Sequence, residues 1–173
     1  MKNSATKIMS LILVCTILLG LFSFSAFAES EPKTGKPTTG VESPTVGYGE
    51  GLYSEGIMPL SDSLINRISL TIAQVENRGL RINFATGGTA IMAKIGVKDI
   101  KIQRWENEKW VTVYTGEDIV EDRSFHSGSF YSPTGLKAGY YYRATVNHYA
   151  KEKGWFFPAS QKFFNETNYI LIQ

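Results

Sequence analysis

The chain has 173 residues, of which 18 are Lys or Arg and 16 are Asp or Glu. The two extra bases are Lys2 and Lys7 at the extreme N-terminus, so the rest of the chain is electrically balanced. A near-neutral protein gains little non-specific attraction for a polyanion, and we expect no nucleic-acid partner.

Residues 1–28 have the three parts of a secretory signal peptide. Lys2 and Lys7 supply positive charge, residues 8–22 form an uncharged apolar run, and Ala28 ends a stretch of small residues where cleavage is expected. The alternative is a retained membrane anchor, but the run is short for a bilayer span and no basic flank follows it. The sequence therefore predicts a secreted protein that is cleaved after Ala28.

Cys15 is the only cysteine, and it lies inside the predicted signal peptide. Val14 stands before it, where a lipoprotein signal needs a small residue, so no lipid anchor is expected. The exported part has no disulfide and must be held together by packing, which favours a Gram-positive exporter over a disulfide-rich secreted scaffold.

Residues 29–60 are rich in Pro, Gly, Thr, Ser and Glu and show little apolar periodicity. Such a segment buries too little apolar surface to offset the entropy of ordering it, and it is predicted to be a flexible tether. Its last part, residues 51–60, contains several apolar side chains, and docking of these on the domain or on a partner is the alternative.

From residue 61 onward the pattern changes to short alternating runs that are separated by turn residues, which is typical of β-strands. Seven strands are predicted, over residues 67–75, 79–86, 98–105, 110–114, 125–131, 140–150 and 167–173. The residues expected to face the core are Ile68, Leu70, Ile72, Leu80, Ile82, Phe84, Ile100 and Ile102. The fold class is therefore all-β, a single antiparallel sandwich over residues 61–173, with a small barrel as the alternative.

The segment LKAGYYYRATV contains Leu136, Gly139 and Tyr142, followed by apolar residues at alternating positions. It resembles the entry to strand F of fibronectin type III and related immunoglobulin-like sandwiches. The resemblance implies a structural role for these three residues. In particular, Tyr142 would form a tyrosine corner, with its hydroxyl bonded to the backbone upstream.

The period-two rule divides the three consecutive tyrosines between two faces of one strand. Tyr142 points inward with His148, while Tyr141, Arg143 and Tyr149 are expected on the solvent face. Tyr and Arg on a rigid strand can stack on sugars or anchor a protein interface, so these three form a first candidate binding site. An ordinary cross-strand ladder is the alternative.

A second aromatic cluster consists of Trp155, Phe156 and Phe157, after a charged turn. It is either an exposed loop that inserts into a partner or a hydrophobic lid over one end of the sandwich.

Catalytic signatures are absent from the sequence, which has no metalloprotease, nucleophile-elbow, P-loop or paired-cysteine motif. His126 lies beside Ser127 and after Asp118 and Asp122, but closeness in sequence says nothing about triad geometry. We therefore predict a protein that is not an enzyme and that binds no cofactor.

The acidic loop with Asp118, Glu121 and Asp122 lacks the spacing of an EF-hand, so a solvated charge run is expected there and not a calcium site. Asn165 begins an N-glycosylation pattern, which is expected to be accidental in a bacterial exporter.

The layout of signal peptide, Pro/Thr/Gly-rich tether and cysteine-free β domain resembles small secreted proteins of unknown function from Gram-positive bacteria. This resemblance implies no activity. The sequence predicts a secreted, non-enzymatic binding protein for an extracellular protein or a cell-wall glycan. The alternative is an antimicrobial or toxin-like protein whose aromatic cluster contacts a target membrane.

Overall fold

The computed structural model describes residues 32–55 and 63–173. The predicted signal peptide (1–28) and both ends of the predicted tether (29–31 and 56–60) lie outside the described residues.

Within the described ranges the chain forms eleven β-strands and one three-residue 3-10 turn. The strands are β1 (Tyr48–Glu50), β2 (Ser54–Glu55), β3 (Ile65–Val75), β4 (Gly79–Gly88), β5 (Lys94–Glu106), β6 (Lys109–Thr115), β7 (Ile119–Glu121), β8 (Phe125–Tyr131), β9 (Tyr141–Lys151), β10 (Ser160–Glu166) and β11 (Ile170–Leu171). Seven of them have seven or more residues, and the other four have two or three.

The strands form two antiparallel sheets. The first sheet has the order β1-β3-β4-β8, with β2 also paired to β3. The second has the order β10-β9-β5-β6, with β11 paired to β9 and β7 paired to β5. The inner faces of both sheets contribute to one apolar core, so the predicted all-β sandwich is confirmed.

The alternation predicted from sequence is confirmed in the long strands. All eight residues that were expected in the core are at most 3% exposed. The predicted turns are also confirmed. Glu76–Arg78 connects β3 to β4, and Asn107 and Glu108 connect β5 to β6; the φ angles of Asn77, Arg78, Asn107 and Glu108 are positive, between 52° and 58°. Such turns match the right-handed twist of the strands that they join.

Strand β10 was not predicted, and the predicted closing strand (167–173) is reduced to the two residues of β11. The reason is that two residues of β10 that point toward the first sheet, Gln161 and Asn165, are polar. Gln161 Oε1 accepts hydrogen bonds from the backbone N–H groups of Leu64 (2.8 Å) and Ile65 (3.1 Å). A pattern based on apolar alternation cannot detect such a strand.

Residues 32–55, which we call the N-terminal strap, differ from the flexible tether predicted for 29–60. In the structure the strap follows the side of the sandwich and contacts both sheets. Its strand β1 pairs with β3, and the Asn168 N–H donates to the Glu50 carbonyl at 2.7 Å. Backbone hydrogen bonds, which depend little on side-chain type, order a segment that has few apolar residues.

Strand β5 is irregular near its start, where Gly96 has a φ of +149° and pairs with β7. A Cβ atom at this position would lie 2.0 Å from the carbonyl oxygen of Ile119. The close approach of β7 to β5 therefore requires glycine here.

We expect Gly96→Ala to lower the free energy of unfolding by about 2 kcal/mol or more, because the backbone of β7 must move away to admit the methyl group. Urea unfolding followed by circular dichroism measures the change. Gly35→Ala is the matched control, since no atom lies within 4 Å of its Cβ position. Equal stability of the two variants would contradict the assignment of Gly96.

Candidate functional site

Tyr142 forms the tyrosine corner that the resemblance implied. Its side chain is fully buried, and its hydroxyl accepts a hydrogen bond from the Lys137 N–H (3.0 Å) and contacts the Lys137 carbonyl (3.3 Å). Burial raises the pKa of Tyr142. Leu136 packs against the core, and Gly139 has a φ of +79° and donates to the Ile172 carbonyl. These contacts hold the loop that contains Leu136 and Gly139 against the domain.

The first candidate binding site is not an open face. Tyr141 is only 6% exposed, because it lies in a cluster on the outer face of the second sheet. We call this cluster, formed by Trp105, Trp110, Tyr141 and Tyr169, the outer cluster. Its rings meet at centroid distances of 5.3 to 5.9 Å. The expectation that Tyr141 faces solvent is therefore wrong.

The strap covers the outer cluster. The Trp110 indole N–H is 3.1 Å from the Thr39 hydroxyl, and the Tyr169 N–H donates to the Val41 carbonyl at 2.8 Å. A Cβ atom on Gly40 would lie 3.5 Å from the Tyr169 ring and 3.6 Å from the Arg143 guanidinium. The pKa of Tyr141 is raised, first by burial and then by the nearby Glu42 carboxylate.

Arg143 and Tyr149, the other two members of the predicted site, make contacts within the domain. The Arg143 guanidinium lies 4.5 Å from the Trp110 ring, donates to Gln103 at 2.8 Å and pairs with Glu166 at 2.7 Å. Tyr149 is half-buried, and the Lys98 ammonium lies 4.5 Å from its ring. For Tyr149 the geometry is that of the alternative, a cross-strand ladder.

The second candidate cluster is fully exposed. Trp155, Phe156 and Phe157, which we call the aromatic tip, lie in the loop between β9 and β10 and are 99%, 86% and 99% exposed. The base of this loop is closed by the Glu152 N–H, which donates to the Ala159 carbonyl at 2.9 Å. Of the two alternatives, the structure has the exposed loop and not the lid.

His148 is completely buried and hydrogen-bonded at both ring nitrogens, with Thr86 Oγ1 2.7 Å from Nδ1 and Asn165 Nδ2 3.2 Å from Nε2. The Thr86 hydroxyl donates to the Gly96 carbonyl, so it must accept from His148, which puts the ring proton on Nδ1. Nε2 is then the acceptor for Asn165. Burial lowers the pKa of His148 to about 4, so the ring is neutral near pH 7.

Asn165 connects this buried network to the strap. Its side-chain oxygen accepts from the Leu52 N–H and its amide nitrogen donates to the Leu52 carbonyl, both at 2.9 Å. The residue is 3% exposed, so the glycosylation pattern that it begins lies inside the fold. The sequence did not reveal this role, because the signal is a pair of backbone bonds to a residue more than a hundred positions away.

The catalytic grouping considered around His126 does not form among the described residues. His126 is buried and tilted against Phe84, while Ser127 is exposed on the opposite face of β8. Asp118 pairs with Lys98 at 3.1 Å, and Asp122 pairs with Lys153 at 2.9 Å. In the part of the chain that the structure describes, no three His, Cys, Asp or Glu residues are grouped to hold a metal.

Comparison of the chain with protein-family models, with curated proteins and with solved structures finds no match. In the described ranges no helix is long and apolar enough to cross a bilayer.

We expect the free energy of unfolding to fall as the pH is lowered through the titration range of His148. Its pKa is about 4 in the folded chain and ordinarily 6.5, so the unfolded chain binds the proton more tightly. The stabilisation is complete above about pH 6.5 and is lost toward pH 4, a total of about 3 kcal/mol. Urea unfolding at several pH values between 5 and 7 measures the slope. His148→Gln, which can keep one donor and one acceptor, should flatten it, and an unchanged slope would contradict the assignment.

We expect Asn165→Ala to lower the free energy of unfolding by about 2 to 4 kcal/mol, because it removes both backbone bonds to Leu52 and leaves Nε2 of the buried His148 ring without a donor. Amide hydrogen exchange should accelerate at Leu52. Asn83→Ala is the control, since Asn83 bonds Thr71 and Ser129 near the surface, and about 1 kcal/mol or less is expected there. Unchanged exchange at Leu52 would show that Asn165 does not hold the strap.

Proposed function

We propose that the chain is a secreted, non-enzymatic binding protein that contacts its partner through the aromatic tip. The observation that carries the proposal is the exposure of three consecutive aromatic side chains at 86% or more. Water-exposed clusters of this kind are costly for solubility and mark interaction surfaces in other proteins.

The outer face of the second sheet is a weaker candidate for the contact. A partner there would have to displace the strap, with its backbone bonds to Tyr169 and its side-chain bond to Trp110. The aromatic tip needs no such rearrangement, since no described part of the chain covers it. It can therefore bind at no conformational cost to the domain.

We also propose that the sandwich is of the fibronectin type III or immunoglobulin-like kind. Two features support this. The long strands divide into a three-stranded sheet (β3-β4-β8) and a four-stranded sheet (β10-β9-β5-β6), and the strand with the tyrosine corner lies inside the larger one. Domains of this architecture present loops at the two ends of the sandwich as binding sites.

The second candidate function is an antimicrobial or toxin-like activity at a target membrane, and the same exposed tip favours it. It differs from the first because it requires the bilayer to be breached. Release of a trapped dye from lipid vesicles by the purified chain would support it, and vesicles that stay sealed while the protein binds them would argue against it.

We expect that serine at all three tip positions strongly weakens binding of the purified chain to isolated bacterial envelopes, which contain wall glycan, protein and lipid. The expected loss is at least about tenfold, the effect of removing one buried aromatic anchor. Co-sedimentation measures it, and thermal unfolding should be unchanged because the side chains make no core contact. Tyr131→Ser is the control, because Tyr131 is an exposed aromatic residue outside the tip, at the last position of β8. Equal binding by both variants would refute the proposal.

A further inference from the structure

The side chains of the aromatic tip are almost fully exposed to solvent. The tip lies at the turn of the β9-β10 hairpin, beyond the last paired residues, Lys151 and Ser160. At the same end of the sandwich the loop between β4 and β5 exposes Ile91 at 63%, and the Ala93 N–H donates to the Lys151 carbonyl at 2.8 Å. The two loops are therefore neighbours, and Ile91 lies beside Glu152 and Lys153 at the start of the loop that carries the tip.

The backbone of the tip is held in an unusual conformation. Phe157 has a φ of +49°, in the left-handed region that bulky side chains rarely adopt. Pro158 follows it, and the Glu152 carboxylate lies 3.3 Å from the Ala159 N–H, so the loop is anchored on both sides. Strained residues of this kind are concentrated at functional sites, where the neighbouring structure maintains them.

The charges around the tip largely cancel. Lys153 pairs with Asp122, and Arg123 pairs with Glu121. These pairs neutralise two cations, and the remaining charges at the base of the loop, Lys94, Lys151 and Glu152, sum to one positive charge. One charge adds little attraction for an anionic partner, so most of the binding energy must come from the aromatic side chains.

These observations favour a lipid surface over a sugar or a protein pocket. A sugar-binding platform needs rings that lie flat beside free polar groups, whereas the two charged side chains of this loop are already engaged, Glu152 with the Ala159 N–H and Lys153 with Asp122. An interface anchor on a protein usually fills a shaped pocket, whereas a bilayer accepts three neighbouring rings in any orientation. Trp and Phe partition well into the zone between headgroups and acyl chains.

We propose that the aromatic tip inserts into the interfacial zone of a phospholipid bilayer and thereby holds the sandwich on the membrane surface without crossing it. This rests on the proposed function and names its partner class. Ile91 enters the same zone at the edge of the contact. Because insertion is apolar, zwitterionic lipid is sufficient for binding.

The test is partition of the purified full chain into phosphatidylcholine vesicles, measured by sedimentation. Replacing Phe156 and Phe157 by serine should weaken partition about tenfold or more, since each substitution removes an apolar ring that would be buried in the bilayer. Tyr131→Ser should change it little. Adding a minority of phosphatidylglycerol should strengthen it by no more than about fivefold, the effect of one net charge.

The depth of insertion is measured from the quenching of tryptophan fluorescence by lipids that are brominated on the acyl chain. Trp105 is 3% exposed and the strap bonds the Trp110 indole, so the quenched emission should come from Trp155. Trp155→Phe should keep binding and lose the quenched component. Vesicles filled with dye should stay sealed.

These measurements distinguish failure of the lipid assignment from failure of the proposed function. If vesicles are not bound but the serine variants still lose envelope binding, the lipid assignment is overturned and the proposed function remains. If the serine variants bind vesicles and envelopes as the unaltered chain does, both are overturned. Binding that requires anionic lipid and disappears in salt would overturn the apolar insertion.

Discussion

The rest of the structure depends on how the side of the sandwich between β3 and β10 is closed. These strands belong to different sheets, so neither can satisfy the other's backbone groups directly. The chain closes the side with the strap, which pairs with β3 through β1 and bonds β10 through Asn165. Gln161, four residues before Asn165 on β10, performs the same task by accepting from backbone N–H groups at the start of β3. Because the only cysteine lies in the predicted signal peptide, the closure consists of hydrogen bonds and packing.

This closure determines which surfaces are open. The strap continues from the closed side over the outer cluster, so Tyr141 and Arg143, which face away from the core, are nonetheless covered. The same network places His148 between Thr86 and Asn165, where only the neutral ring satisfies every donor and acceptor. The hydrogen bonds that close the edge therefore also fix the position of the strap and keep the His148 ring neutral. The aromatic tip lies outside this arrangement.

Sequence patterns predicted the parts of the fold in which successive side chains alternate between the apolar core and solvent. This alternation correctly placed Ile68, Leu70 and Ile72 in the core. It also placed Tyr142 there, and the hydrogen bonding of its hydroxyl was predicted from a short local motif. The strap and β10 could not be predicted in this way. Backbone hydrogen bonds and inward-facing side-chain amides hold these two segments in place. A period-two pattern assigns a polar residue to the solvent face, so it misplaces a polar residue that points inward. For the same reason Tyr141 was assigned to solvent, because the covering segment has no apolar periodicity of its own.

The exposure of the aromatic tip has no explanation in folding. The apolar cluster nearest this end, with Ile65, Ile68, Met92, Ile95 and Ala150, is already buried to 2% exposure or less without any of the three rings. A two-residue turn such as Asn107-Glu108 would join β9 to β10 more economically than a loop of eight residues does. The additional length displays Trp155, Phe156 and Phe157 away from the domain. Folding alone favours a shorter polar loop here, and this is the ground for the proposal that the tip contacts a partner.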